Sequence, residues 1–281
     1  MLEEIFLNKK SFVIKSSESK EFPISCDYSY KEENPKIVIF CHGFKGFKDW
    51  GCWNLVANYF VNNGLNFLKF NFSQNGTTLD NVNQISDFKS FRNNNYSIEL
   101  QDLIRVINHI KSPKSLVKCN DLYLIGHSRG GGIACLATQY HPEIAKLVTW
   151  ASVADFKERF PAKNELLKWK KEEIRYIINS RTGEKYPQDY QFYEDFIKNE
   201  NSLNISKALM KFNGELLVCY GIFDQVIPKR DAFNMVNFSK NAEIISFRTN
   251  HTFGSKHPWD NTTLPLSLRE LCDITINFLK N

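Results

Sequence analysis

The chain has 281 residues, enough for one large domain with a substantial buried core. Hydrophobic residues make up 42% and charged residues 24%, which argues against a disordered or fibrous chain. The formal charge of +5 is not gathered into a long basic block, which excludes the clustered footprint of a nucleic-acid-binding face.

From the N-terminus, Met1 to Lys10 carries Glu3 and Glu4 and has no apolar run leading to a small-residue cleavage site, so no signal peptide is expected. No later stretch reaches the roughly 20 apolar residues that span a bilayer. Phe12 to Ile14 and Phe22 to Cys26 read as two short strands. Lys36 to Cys41 is an almost unbroken apolar run, the pattern of a strand buried on both faces. A glycine-bearing loop, His42 to Gly51, leads to a helix from Trp53 to Asn62 that halts at Asn63-Gly64, and Asn66 to Phe72 is the next strand. Ser73 to Asn95 reads as a polar, irregular connection. Ile98 to Ile110 has helical spacing of apolar residues, with Pro113 after its end. Strand Leu122 to Ile125, helix Gly130 to Tyr140 and strand Ala145 to Trp150 follow.

That alternation predicts an α/β fold with a mostly parallel sheet covered by helices on both sides. The pattern changes over residues 154–212, where charged and aromatic helical segments are expected and no convincing strand is visible. These residues read as a helical cap inserted into a core of residues 1–153 and 213–281. The core resumes with strand Leu216 to Tyr220, helix Lys229 to Phe238, strand Glu243 to Phe247 and closing helix Pro265 to Leu279. Seven cysteines are scattered without CxxC spacing, and Cys41, Cys119, Cys135 and Cys219 sit in or beside apolar runs as small hydrophobes. The expected setting is cytoplasmic and reducing.

The strongest chemical signal is Gly126-His127-Ser128-Arg129-Gly130, a G-x-S-x-G pattern set between a strand and a helix. A nucleophile on so sharp a turn needs small neighbours, and the following helix directs free N–H groups at the site. A bare G-x-S-x-G also arises by chance, so the strand-turn-helix setting carries the assignment of Ser128 as nucleophile. His42-Gly43-Phe44 follows the buried strand and supplies a second oxyanion donor, so the donors are the backbone N–H groups of Phe44 and Arg129. His42 itself reads as a satisfied structural residue before a substrate contact. Asp224 follows the Leu216 strand in a loop ended by Pro228, placed to orient an imidazole, though an Asp capping the next helix fits as well. Two histidines follow, His251 and His257; His251, just past the Glu243 strand, is the expected base, and His257 before Pro258 a packing residue. The chain order Ser, Asp, His is that of the α/β-hydrolases.

The chain resembles an α/β-hydrolase of the dienelactone-hydrolase and serine-aminopeptidase-like group. The likeness rests on His42-Gly43-Phe44, Gly126 to Gly131, Gly221 to Pro228 and Asn250-His251-Thr252-Phe253, spread over nearly the whole length. Dienelactone hydrolases proper use cysteine where this chain has Ser128, which puts that substrate in doubt. The resemblance implies a central sheet with an inserted cap and hydrolysis of an ester or amide through an acyl-enzyme. A small carboxylic ester is the expected substrate, with peptide or amide cleavage and a non-catalytic binding protein as alternatives. No metal or cofactor is expected, since the six histidines show no H-E-x-x-H or similar spacing. Neither a nucleic acid nor a membrane is an expected partner, and the oligomeric state is left open. Among substrate contacts, His42, Trp150, Phe156 and Tyr190 are candidates, although most cap aromatics read as cap core. Lys45, Lys48 and Arg129 lie near the expected mouth, where they could attract an anionic substrate, although both lysines read first as solvated surface charge.

Overall fold

The computed structural model describes residues 7–15, 22–31, 36–113, 115, 117, 119–179 and 183–281. Residues 1–6, part of the segment that argued against a signal peptide, lie outside them. In chain order the elements begin β1 (Asn8–Ile14), β2 (Ile24–Tyr30), β3 (Lys36–Cys41), α1 (Trp53–Asn62) and β4 (Asn66–Phe70). They continue with α2 (Phe88–Asn93), α3 (Tyr96–Lys111), β5 (Asp121–His127), α4 (Arg129–Ala137) and β6 (Lys146–Trp150). Next come α5 (Lys163–Glu172), β7 (Ile174–Ile178), β8 (Lys185–Asp189), α6 (Gln191–Lys198) and α7 (Ile205–Lys211). The chain closes with β9 (Glu215–Gly221), α8 (Lys229–Phe238), β10 (Ala242–Phe247) and α9 (Leu266–Lys280).

Eight strands form one sheet in the order β1-β2-β4-β3-β5-β6-β9-β10. The β1-β2 and β2-β4 pairs are antiparallel, and every pair from β4 to β10 is parallel. Strand β3 shows why the sheet is covered twice. Ile37, Ile39 and Cys41 enter the core with α3, α4 and α8, while Val38 and Phe40 enter the opposite core with α1 and α9. This is the α/β-hydrolase fold, with all parallel strands ending at one rim. Helix α3 starts at Tyr96, two residues before its Ile98 to Ile110 apolar run, because the Asn95 side chain caps it, accepting from the Ile98 N–H.

Two stretches differ from the sequence reading. The connection after β4 contains the short helix α2, whose N-cap Asp87 accepts from the Ser90 N–H. Between β6 and β9 the chain is not wholly helical, because β7 and β8 form a separate antiparallel hairpin. All seven cysteines are free, six of them buried. Among the described residues no helix is long and apolar enough to cross a membrane.

Candidate active site

Ser128 sits between β5 and α4 with φ +57° and ψ −121°, a conformation that costs an L residue about 1–3 kcal/mol. The turn is tied at both ends. Its N–H donates to the Trp150 carbonyl at 2.9 Å, and its carbonyl accepts from the Gly131 and Val153 N–H groups at 3.1 and 3.3 Å. The helix enters so close to β3 that a Cβ on Gly130 would stand 2.4 Å from the carbonyl oxygens of Cys41 and His42. Glycine alone fits there.

The loops after β9 and β10 deliver a carboxylate and an imidazole to the same rim. Ser128 Oγ lies 3.1 Å from His251 Nε2, and His251 Nδ1 lies 2.7 Å from Asp224 Oδ2. A carboxylate accepts only, so Nδ1 carries the proton and Nε2 faces the hydroxyl as an acceptor. The Asp224 side chain is 3% exposed. Its other oxygen accepts from the Val226 and Ile227 N–H groups at 2.7 and 3.0 Å. Burial works against its ionised form, but the bond and charge of His251 and these two N–H groups outweigh it and lower its pKa.

His127 was not singled out in the sequence, where it fills a variable position of the pentapeptide. Its Nε2–H donates to the His251 carbonyl at 3.0 Å, tying the imidazole's loop to the turn that carries Ser128. Burial, reinforced by the charge of His251, holds its pKa down to about 3, so it serves as a neutral donor. His257 lies elsewhere: its Nδ1 accepts from the Gly51 N–H at 3.0 Å, and its ring packs against Phe47 and Trp50.

The loop after β3 passes beside Ser128. A Cβ on Gly43 would meet Ser128 Cβ at 3.0 Å and His127 Nδ1 at 3.2 Å. The next N–H in that loop, Phe44, and the first of α4, Arg129, have no backbone or side-chain acceptor among the described residues. Gly43, Phe44, His127, Ser128 and His251 border a cavity of about 340 Å³ whose far wall is apolar, with Trp50, Trp53, Ile177 and Val226. A second lobe of about 200 Å³ opens on the other side of Ser128 and holds Arg129, Arg159 and Arg175 beside Tyr96, Phe156 and Phe192.

The remaining expected contacts divide. Phe156 lines the second lobe, stacked on Tyr96 at 3.8 Å. Trp150 does not reach either lobe: it is wholly buried among Phe40, Trp53 and Phe60, and its Nε1–H donates to Thr275. Its contribution is the backbone carbonyl that holds Ser128. Tyr190 is edge-on to Trp169, behind the lobe rather than in it. His42 is buried, its Nδ1–H donating to the Gly43 carbonyl at 2.9 Å and its Nε2 accepting from the Phe72 N–H at 3.4 Å, with burial lowering its pKa to about 4. Lys48 is not solvated charge. It is 3% exposed, bonded to Asp27 at 2.7 Å and to Asp49 at 2.5 Å, with buried Lys69 completing the cluster. Its origin is register, since β2 pairs with β4 so that Asp27 stands opposite Lys69.

Among the described residues no group of three or more His, Cys, Asp or Glu is placed to hold a metal ion. The sequence profile of the serine aminopeptidase S33 family matches residues 32–190, more than half of the chain. No curated protein matches the sequence. Solved structures match over almost the full length. Est1E from Butyrivibrio proteoclasticus, solved with ferulic acid bound, superposes with a TM-score of 0.71 at 16% identity, covering 96% of this chain and 98% of that one. The mouse α/β hydrolase domain-containing protein 10 gives 0.71 at 14% identity, covering 96% and 98%. An esterase from Pyrococcus furiosus gives 0.62 at 15% identity, covering 98% and 90%. At such identities the likeness is one of fold.

Proposed function

The chain belongs to the serine aminopeptidase S33 family, and from that premise we propose that it is a serine hydrolase cleaving a small carboxylic ester through an acyl-enzyme on Ser128. The observation that carries the proposal is the unbroken relay from Ser128 Oγ through His251 to the buried Asp224, at 3.1 and 2.7 Å, opening on a cavity. In the proposed cycle His251 Nε2 takes the Ser128 proton as the oxygen attacks the ester carbonyl. Asp224 balances the imidazolium, and the oxyanion accepts from the Phe44 and Arg129 N–H groups, each worth about 3 kcal/mol in such a site. The imidazolium then gives its proton to the departing alkoxide, and water repeats the sequence on the acyl-enzyme. Residues 154–212 act in this reading as a cap, with the β7-β8 hairpin bringing Ile177 to both lobes.

Amide cleavage is the second reading, favoured by the family's name. An aminopeptidase needs a carboxylate for the α-ammonium of its substrate. Among the described residues that line the two lobes none is Asp or Glu, whereas three are arginine. An ammonium group would be repelled there. The test is to label Ser128 with a fluorophosphonate and to compare p-nitrophenyl esters with aminoacyl-p-nitroanilides. Labelling with faster ester turnover is the expected result. Faster anilide cleavage makes the protein a peptidase, and an unlabelled Ser128 in folded protein makes it a binding protein.

A further inference from the structure

The second lobe is unusual in its charge. Arg129 Nη1 donates to Glu99 at 3.2 Å, and Arg159 Nη2 donates to Asp231 at 3.0 Å, so each has a carboxylate behind it. Arg175 has none. Its Nε and Nη2 both donate to the side-chain oxygen of Gln188, at 2.9 and 2.6 Å. Gln188 is its direct partner across the β7-β8 hairpin, and an amide fills the place where a carboxylate would cancel the charge. Among the described residues no carboxylate lies within ion-pair distance of Arg175, and Glu165 acts on it only from further away. The guanidinium is nevertheless fixed. It lies 3.8 Å over the Trp169 ring, and Trp169 Nε1–H donates to the Gln188 carbonyl at 3.0 Å. The side chain is thus pre-set, half-buried, and aimed with Ile177 into the lobe that ends at Ser128, since residues two apart in a strand share a face. Removing a guanidinium from water without a counter-charge is costly, and Trp169 offsets only part of that cost.

We propose that Arg175 is the recognition site for an anionic group of the substrate, so that the ester opened on Ser128 carries a carboxylate or similar oxyanion in its acyl or alcohol half. The inference rests on the hydrolase reading given above. With three guanidiniums against two paired carboxylates, the lobe retains one positive charge for the ligand. Nη1 of Arg175 keeps its N–H groups free of any acceptor among the described residues, and one of them, with the second N–H of Nη2, forms the two-nitrogen edge that a carboxylate fits.

Two pairs of near-isosteric esters test this. On the acyl side, mono-p-nitrophenyl glutarate is compared with p-nitrophenyl valerate; on the alcohol side, 4-acetoxybenzoate is compared with 4-methylphenyl acetate. In at least one pair the anionic ester is expected to have a kcat/KM about tenfold or more higher, from a charge-assisted bond, and the preference should shrink as salt is raised. Arg175→Gln, and independently Gln188→Glu, which supplies the missing carboxylate, should each cut that anionic-to-neutral ratio by about tenfold. The second variant keeps the assay decisive where the first does not fold. Neutral esters preferred in both pairs, or a ratio untouched by either variant, overturns the inference while leaving the hydrolase reading intact. Should no ester turn over and Ser128 stay unlabelled, that earlier reading fails, and calorimetry decides this one. Ser128→Ala protein should bind monomethyl glutarate more tightly than methyl valerate, and Arg175→Gln in that background should abolish the difference; no difference in Ser128→Ala protein overturns it.

Discussion

Replacing Asp224 by Asn tests the proposed relay with little change of shape. Asp224 Oδ1 is held by two backbone N–H groups, from Val226 and Ile227, at 2.7 and 3.0 Å. An Asn at this position must keep its carbonyl oxygen there, because an amide nitrogen facing two donors leaves all of them unsatisfied. The NH₂ group is therefore forced toward His251 Nδ1, which must now accept. The imidazole proton moves to Nε2 and faces Ser128 Oγ, 3.1 Å away, so the base arrives already protonated. A wrong tautomer of this kind lowers kcat by about ten-thousandfold, or about 5.5 kcal/mol. The assay is single-turnover release of p-nitrophenol from p-nitrophenyl acetate, with fluorophosphonate labelling in parallel. Melting temperature should move little, since the turn made by residues 224–227 is retained. A fully folded Asp224→Asn protein that keeps more than a tenth of the parent rate refutes the role of Asp224.

Three further outcomes follow from the same geometry. Gly43→Ala pushes a Cβ to 3.0 Å from Ser128 Cβ and shifts the loop that carries the Phe44 N–H. We expect kcat to fall about a hundredfold with KM nearly constant, as measured by steady-state ester kinetics. His127→Phe removes the 3.0 Å bond to the His251 carbonyl and lets that loop wander; kcat should drop about tenfold to a hundredfold, and hydrogen exchange should quicken at residues 250–253. Asp27→Asn leaves Lys48 and Lys69 facing Asp49 alone and should cost about 3–5 kcal/mol in denaturant unfolding. In the parent protein burial opposes ionisation of Asp27 and Asp49, but the two lysines prevail and lower both pKa values. Their stabilisation is thus present above the unfolded carboxylate value of about 3.9 and lost as pH falls below it, a limb that Asp27→Asn should flatten in urea titrations at pH 2 to 5.

How much of this was legible in the sequence depended on whether the signal was local. The run Lys36 to Cys41 and the helix Lys229 to Phe238 coincide with β3 and α8 to the residue, because an uninterrupted apolar strand and a proline-started helix mark their own ends. Ser128, Asp224 and His251 were each readable from their place in the turn or loop that follows a strand, although nothing short of the sheet order places those strand ends side by side. The hairpin was missed for a different reason. In Ile174-Arg-Tyr-Ile-Ile178 the solvent face carries Tyr176 and Ile178, both more than half exposed, so no polar alternation betrays a strand. Arg175 was lost with it. Its meaning depends on Gln188, 13 positions away, and on register across the hairpin. His127 failed as a signal because its partner is a backbone carbonyl 124 positions downstream. Trp150 shows the converse error: a large aromatic near a strand's end reads as a pocket wall, but strand parity turns its side chain into the core between the sheet and α9.

One residue connects the proposed oxyanion donors to the rest of the fold. Arg129 offers its backbone N–H at the start of α4, while its guanidinium lies 3.8 Å over the ring of Phe44, the residue whose N–H is the other donor. The guanidinium is in turn held by Glu99, whose Oε1 accepts from Arg129 Nη1 at 3.2 Å and from Asn94 Nδ2 at 2.8 Å. Glu99 is buried in the first turn of α3, where a negative charge is favoured. Away from bulk water a cation over an aromatic face is worth about 2 kcal/mol, enough to set one ring position against the alternatives open to a loop residue. The two N–H groups come from segments 85 positions apart in sequence, and no hydrogen bond joins them. Beyond the β3-β5 pairing that runs up to Cys41 and Gly126, and the close packing of Gly43 and Gly130 between the two segments, side chains brace them, from α3 by way of Glu99 and Arg129 to Phe44. A donor pair set in advance spends no energy on reorientation as charge develops on the carbonyl oxygen, and that is the condition under which such donors stabilise a transition state more than water does.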